Sequence, residues 1–363
     1  MKHIGINSRL IQGKETGIPK YIKKLYQAVQ VLDESNKYLF FQTKKTKKIG
    51  TTKLINLPQK LIFDVFFDLF LVHFLIVKEK IDIFHSPSHV LPLIRKKNCK
   101  YLLTIHDLSF LIFPNQNNAL FNIYYNFIVK RSALTADHIF ADSVNTKKDI
   151  IKYYKIDQKK ISVLYPGVDD SFVNLKKNHS EQKNPYIFSV VTHPKRKNLP
   201  VLLKAFAGLN LKLPKYKLIL CGTIDDQHKN EILKLAKKLK IDKSMEILGF
   251  ISDDDKFIEL YQNASLFVYP TLYEGFGLPI LEAMSSGCIV IASNTSSIPE
   301  ILPDKQFLFN PNDVKDLLNK MILGLNLNKQ EKSSVIKNNH QLFKKFSWTN
   351  SAKKLLVYIN VTL

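Results

Sequence analysis

LFVYPTLYEGFGLPILEAMSSGCIVIA, residues Leu266 to Ala292, opens on a short apolar run, Leu266 to Tyr269, and passes through a turn holding Gly275 and Gly277. It continues with helical character and closes on a second apolar run, Ile289 to Ala292. Strand, turn, helix and strand in that order make a βαβ unit, whose strands lie parallel. Pro279 suits the first turn of the helix and Gly287 its C′ end. Gly275 and Gly277 let backbone N–H groups turn toward a ligand at the helix N-terminus, where orphan donors and the helix dipole favour an anion such as a diphosphate. Glu274 stands in the turn, on the ligand side. Glu282 lies inside the otherwise apolar helix, among Leu278, Ile280, Leu281, Ala283 and Met284, where an unpaired carboxylate is costly. A ribose diol is one partner for it; an internal lysine or a backbone N–H is the other.

The same alternation runs through the chain. Short apolar runs stand at Ile4 to Ile6, Tyr38 to Phe41, Ile81 to Phe84, Tyr101 to Ile105, His138 to Ala141 and Ile161 to Leu164. They resume at Tyr186 to Val191, Lys217 to Cys221, Met245 to Leu248 and Phe307 to Phe309. This pattern predicts an α/β protein with two doubly wound parallel sheets. A length of 363 residues also exceeds what one core usually serves. We expect an N-terminal Rossmann-like domain over 1–170, a polar linker over 171–185 and a C-terminal Rossmann-like domain over 186–345, with a cleft between the domains. Ala352, Leu355, Leu356 and Ile359 predict a helix within 346–363 that packs back toward the first domain, with Ser347 as its N-cap.

Two further segments carry chemistry. His193-Pro194-Lys195-Arg196-Lys197-Asn198 places cations between a strand and its helix, where they can neutralise a leaving diphosphate. Thr104-Ile105-His106-Asp107-Leu108 ends an apolar strand, the place where such sheets bind ligands. Asp253-Asp254-Asp255 reads as a helix start rather than a metal motif, since acidic residues suit the dipole there.

Bulk properties exclude several classes. A 45% hydrophobic, 11% aromatic chain is folded. Cys99, Cys221 and Cys288 lack the spacing of a disulfide framework or zinc site. Of the net +23, residues 1–180 carry +15, from 29 Lys and Arg against 14 Asp and Glu. Solvated surface or an anionic inner leaflet accounts for this charge better than nucleic acid, for which no motif is present. Leu61 to Val77 is the most apolar stretch, too short and too interrupted by Asp64, Asp68 and His73 to span a bilayer. The two aspartates share one helical face, leaving a broad Phe, Leu and Ile face for a core or a membrane surface, with core packing expected. No secretory h-region follows the first residues, so a cytoplasmic chain is expected, peripheral on the inner membrane face.

Glu274 and Glu282, with Gly-Phe-Gly-Leu-Pro following the first, reproduce the signature of family 4 glycosyltransferases, which this sequence resembles over nearly its whole length. Arg9, Gly17-Ile18-Pro19-Lys20-Tyr21, Asp82 to Ser86, His106 to Phe110, Ala141-Asp142-Ser143, Pro166 to Asp169 and Gly249-Phe250-Ile251-Ser252 extend the match, closest in pattern to bacterial mannosyl- or rhamnosyltransferases of O-antigen and capsule assembly. The resemblance implies a GT-B fold. It implies that Glu274 meets the donor sugar, that amides of Gly275, Phe276, Gly277 and Leu278 with Lys197 and Arg196 hold the diphosphate, and that Glu282 binds the ribose. It further implies that His106 reaches the donor sugar, that Gly17 opens a helix near the diphosphate and acceptor, and that Gly249, Phe250 and Ile251 lie against the base. Pro19-Lys20 departs from the common Gly-Arg, and Val190-Val191-Thr192 replaces a strand end where glycine is frequent. The implied activity is retaining transfer of a hexosyl group, with mannosyl from GDP-mannose favoured. The donor is a nucleotide-sugar and the acceptor lipid-linked or an oligosaccharide, with no cofactor, no metal and no protein nucleophile. The alternatives are a nucleotide-sugar epimerase or hydrolase of the same fold and a non-catalytic basic partner subunit.

Overall fold

The computed structural model describes residues 1–12, 17–43, 50–54, 61–114, 119–172, 184–191 and 195–361. The chain divides into two compact units, Met1–Gly167 with Phe346–Leu363, and Val168–Lys345. Most of the linker expected at 171–185 lies outside the described residues, as do Thr192, His193 and Pro194.

In the first unit the strands are β1 (His3–Asn7), β2 (Lys37–Gln42), β3 (Thr51–Leu54), β4 (Ile83–Ser86), β5 (Lys100–Ile105), β6 (His138–Ala141) and β7 (Ile161–Val163). Among the described residues they form one parallel sheet in the order β3-β2-β1-β4-β5-β6-β7. Central strands of such a sheet are covered on both faces and read as continuous apolar runs; Tyr101 to Ile105 is buried at every position. β3 escapes that reading because it is an edge strand of two threonines, a lysine and one leucine.

The second unit holds β8 (Tyr186–Val190), β9 (Lys217–Cys221), β10 (Met245–Gly249), β11 (Leu266–Tyr269), β12 (Val290–Ser293) and β13 (Leu308–Phe309), parallel in the order β10-β9-β8-β11-β12-β13. Strand order therefore reverses between β1 and β4 in one sheet and between β8 and β11 in the other. Ligands bind outside the carboxyl ends of the strands at such switch points.

The C-terminal helix Trp348–Val361 begins where the Asn350 amide donates to Ser347 Oγ at 3.1 Å. Its Ala352, Leu355 and Ile359 share a buried cluster with Tyr21, Leu25 and Val29 of the helix Ile18–Leu32. Gly167 passes so close that a Cβ on it would stand 2.3 Å from the Trp348 amide nitrogen, so no other residue fits.

Leu61–Lys78 is helical with one wide turn, Phe67–Leu71, and its faces differ from the expectation of a core-packed apolar face. Phe67, Val72, Leu75 and Ile76 do pack inward. Asp64 and Asp68, however, both serve Arg9, whose guanidinium reaches Asp64 Oδ2 at 3.3 Å and Asp68 Oδ2 at 2.6 Å. Phe66, Phe70 and Phe74 face outward, 46%, 36% and 64% exposed. The cation at the end of β1 draws the carboxylates toward the sheet, and the aromatic row is left on the other side. Among the described residues no helix is long and apolar enough to cross a membrane.

Candidate active site

At the switch point of the second sheet, the loop after β8 carries Arg196 and Lys197 and the loop after β11 carries Glu274. Glu274 Oε1 accepts from Lys197 Nζ at 2.8 Å and from Thr271 Oγ1 at 2.7 Å, while Arg196 lies 3.2 Å from Oε2. Lys197 Nζ also donates to the Tyr269 hydroxyl and stands 4.4 Å from that ring's centroid. Backbone bonds tie the loops together: the Leu272 amide donates to the Arg196 carbonyl at 2.8 Å, and Arg196 donates to the Tyr273 carbonyl at 3.0 Å. The loop after β12 braces them, with Ser296 Oγ accepting from the Glu274 amide and Ser297 Oγ donating to the carbonyls of Glu274 and Phe276.

The electrostatics follow from burial. Desolvation alone would raise the Glu274 carboxyl, but Lys197 and Arg196 outweigh it and hold it below the usual carboxylate range. Burial, reinforced by Glu274, pushes the Tyr269 phenol well up, so this hydroxyl keeps its proton.

Two helices open at this point, Leu199–Lys212 and Leu278–Ser285, and no side chain caps either. By contrast Asp225, Asp253 and Asp313 accept from first-turn amides of the other helices they open, which is where the Asp253 run is spent. Gly277 holds φ 117, and a Cβ there would come within 3.2 Å of Ile298 Cδ1. Pro279 lies in the first turn and Gly287, at φ 72, just past the end. Such a backbone, with its dipole aimed outward beside two cations, is suited to an anion.

Glu282 is buried in the helix Leu278–Ser285 and accepts from the Tyr261 hydroxyl at 3.1 Å, a partner that sequence periodicity left unnamed. Gly249, at φ 72, ends β10 and leads into the half-exposed Phe250 and Ile251, two strands from β8.

In the first unit, His106 follows β5. Its Nδ1 lies 2.7 Å from Asp142 Oδ2 and its Nε2 3.0 Å from the Pro87 carbonyl. Both ring nitrogens thus meet acceptors, an arrangement only an imidazolium satisfies fully. Burial opposes that charge, but the Asp142 carboxylate outweighs it and raises the His106 pKa. The His106 amide donates to His89 Nε2 at 3.0 Å, which makes His89 an Nδ1–H tautomer facing the Tyr125 hydroxyl. The other Asp142 oxygen, Oδ1, is buried with no hydrogen-bond partner among the described residues. Gly17, at φ 55, starts the helix Ile18–Leu32, and a Cβ on it would meet no atom of the described residues within 4 Å.

The structure brings Arg196, Lys197 and Glu274 together and sets Glu282 against Tyr261. Asp142 and His89 were missed as partners of His106, although Asp142 stood in a matched segment. Tyr269, Thr271 and Ser296 were missed too; Tyr269 and Thr271 precede Glu274 in the quoted stretch, and their contacts with Lys197 and Glu274 distinguish them.

Residues 170–342 match the family of glycosyl transferases group 1, and residues 40–172 match Glycosyltransferase Family 4. Serotype-specific mannosyltransferase WbdA of Escherichia coli is 32% identical over 232 residues, 60% of this chain and 28% of that protein. O-antigen chain mannosyltransferase RfbU of Salmonella typhimurium is 30% identical over 233 residues, 63% of this chain and 61% of that protein. The chain thus spans less than two thirds of the length of either relative. A glycosyltransferase from Rickettsia africae superposes with a TM-score of 0.73 at 21% identity, over 98% of this chain and 97% of that one, a likeness of fold. Matched in both halves, the chain belongs to the glycosyltransferases of the family 4 and group 1 type, with the GT-B fold.

Proposed function

We propose that the chain transfers a hexosyl group, mannosyl from GDP-mannose, to a lipid-linked or saccharide acceptor in surface polysaccharide synthesis, with retention of configuration and no metal ion. The observation that carries this reading is the cluster of buried Glu274 and Lys197 with part-buried Arg196 beside a helix N-terminus whose N-cap residue makes no side-chain cap bond. The diphosphate belongs at that N-terminus, where Lys197 and Arg196 offset the charge that develops on the leaving oxygen. Glu274 receives hydroxyls of the hexose, and Glu282 the ribose. In retaining transfer without a protein nucleophile, the bond from C1 to the phosphate oxygen breaks as the acceptor oxygen bonds C1 on the same face. The acceptor's proton passes to the departing phosphate. Mannose is favoured because the two relatives above are named mannosyltransferases. A membrane-borne acceptor suits the +15 carried by residues 1–180.

The test is thermal stability of wild type and Glu282→Ala against GDP, UDP, TDP, ADP and CDP, with chelator throughout. A ligand at about 100 times its dissociation constant stabilises by roughly 2.7 kcal/mol. The expected result is a higher midpoint with GDP, lost in the variant. No shift with any nucleotide would remove the donor-site assignment, and donor cleavage without acceptor would make the enzyme a hydrolase.

A further inference from the structure

In the first unit His106, His89 and Tyr125 form a relay of hydrogen bonds whose outer end gives its proton to none of the described residues. The His106 amide donates to His89 Nε2 at 3.0 Å. His89 is buried, and desolvation, with the nearby His106, holds its pKa well below the ordinary value, so the ring is neutral. A neutral imidazole that accepts at one nitrogen carries its proton on the other, so Nδ1–H donates to the Tyr125 hydroxyl at 3.2 Å. The Tyr125 oxygen is the acceptor in that bond, and its own proton is left to be given to another group. Among the described residues this hydroxyl makes no second hydrogen bond.

The fold fixes this arrangement firmly. His89 has φ 68, a backbone that residues other than glycine seldom adopt, and its amide donates to the Thr104 carbonyl at 3.1 Å. Strain of this kind collects at functional sites. The Tyr125 ring, on the helix Ala119–Thr135, is stacked on Phe121 at 5.5 Å and met edge-on by Phe110 at 4.9 Å. The loop after β4 supplies His89, the loop after β5 supplies His106, Asp107 and Phe110, and Arg9 follows β1. The hydroxyl therefore stands at the carboxyl ends of the strands that meet at the switch point of this sheet, where ligands bind.

Charge decides the class of ligand. Burial, then Asp107 and Asp68, push the Tyr125 phenol up, with Arg9 pulling the other way, so the hydroxyl stays protonated and able to donate. Arg9 is already engaged by Asp68 and Asp64. A phosphate brought to Tyr125 would meet this excess of carboxylates and be repelled. A saccharide hydroxyl is neutral, accepts from Tyr125 and can itself donate to a carboxylate, so it suits these surroundings.

We propose that Tyr125 binds the acceptor, its hydroxyl donating to one hydroxyl of the acceptor saccharide, with His89 the positioning residue behind it. The assignment deepens the function proposed above and rests on that reading for a saccharide acceptor. The experiment measures transfer from GDP-mannose by the full chain, wild type and Tyr125→Phe, to octyl glycosides of mannose, glucose, galactose and N-acetylglucosamine. The glycoside used best is then replaced by its monodeoxy analogues at the positions not glycosylated. Tyr125→Phe is expected to lower kcat/KM toward the parent glycoside by about 2- to 12-fold, through KM, the range for one net hydrogen bond. One analogue should show the same loss with wild type and no further loss with the variant, a coupling that a merely structural phenol would not produce. The thermal shift with GDP should be the same in both proteins. Equal kcat/KM for the two proteins overturns the proposal, and so does a loss in the variant that is the same for every analogue. A wild type that is stabilised by GDP but transfers to none of the glycosides overturns it as well. Failure of the donor reading would show separately, as absence of the shift with GDP in wild type.

Discussion

Replacing Glu274 by Gln keeps the shape of the donor-site network and removes its charge. The new carboxamide oxygen can still accept from Lys197 and Thr271, but two cations, one of them Lys197 with a side chain only 5% exposed, lose their counter-charge. Breaking a buried pair by removing one partner costs about 3–5 kcal/mol, and the surviving hydrogen bonds put this case near the lower end. In a unit spanning Val168–Lys345 each kcal/mol moves the melting temperature by about 2–4 °C, so the ligand-free variant should melt about 6–12 °C lower. Because the Glu274 pKa lies below its unfolded value, its contribution is complete above about pH 4.5 and disappears as pH falls through the folded value. The same substitution removes a negative charge from beside the diphosphate position. At about 6–8 Å and an effective dielectric of about 20, that repulsion is worth about 2–3 kcal/mol. Calorimetry should therefore find the variant less stable without ligand yet binding nucleoside diphosphate about 30- to 100-fold more tightly than wild type, while sugar transfer collapses. An unchanged melting temperature would mean that Glu274 does not neutralise the two cations. Tighter binding failing to appear would mean that the diphosphate lies elsewhere.

Asp142→Asn should return His106 to a burial-dominated pKa, moving the alkaline limb of kcat/KM down by about 1–3 pH units, the value of one close opposite charge. An unmoved profile would leave Asp142 a structural role only. Stability of the first unit should peak near pH 6.5. Below that pH, His85, whose pKa burial and the nearby His106 push down to about 3, stays neutral in the folded state while the unfolded chain takes up a proton. This costs about 1.4 kcal/mol per pH unit, with His89 adding in the same direction. Above it, the raised His106 gives up its contribution as pH rises through the folded value. Urea midpoints between pH 5 and 6.5 isolate the histidines, and a flat curve there would refute the assignment.

Apolar runs such as Tyr101 to Ile105 announced themselves because a central parallel strand is buried on both faces, whereas Thr51–Leu54, paired on one edge only, has no such constraint to leave in its sequence. Glu282 was legible for a related reason, since a carboxylate inside an apolar helix demands a partner, and Glu274 by its place in the glycine turn ahead of that helix. Which partner it has is a fact of strand order: Lys197 reaches Glu274 because β8 and β11, far apart in the chain, are neighbours at the switch point. His106 with Asp142 depends likewise on β5 lying beside β6. The outward aromatic row was hidden for the opposite reason. Phe66, Phe70 and Phe74 read as core by composition, and Arg9, which pairs with Asp64 and Asp68, together with Asn7, which donates to Asp68 Oδ1, fixes which side of the helix the rings take. Wherever a helix carries both an apolar row and paired charges, the sequence records two candidate inner faces. The choice between them is made by the counter-charge that the rest of the fold supplies.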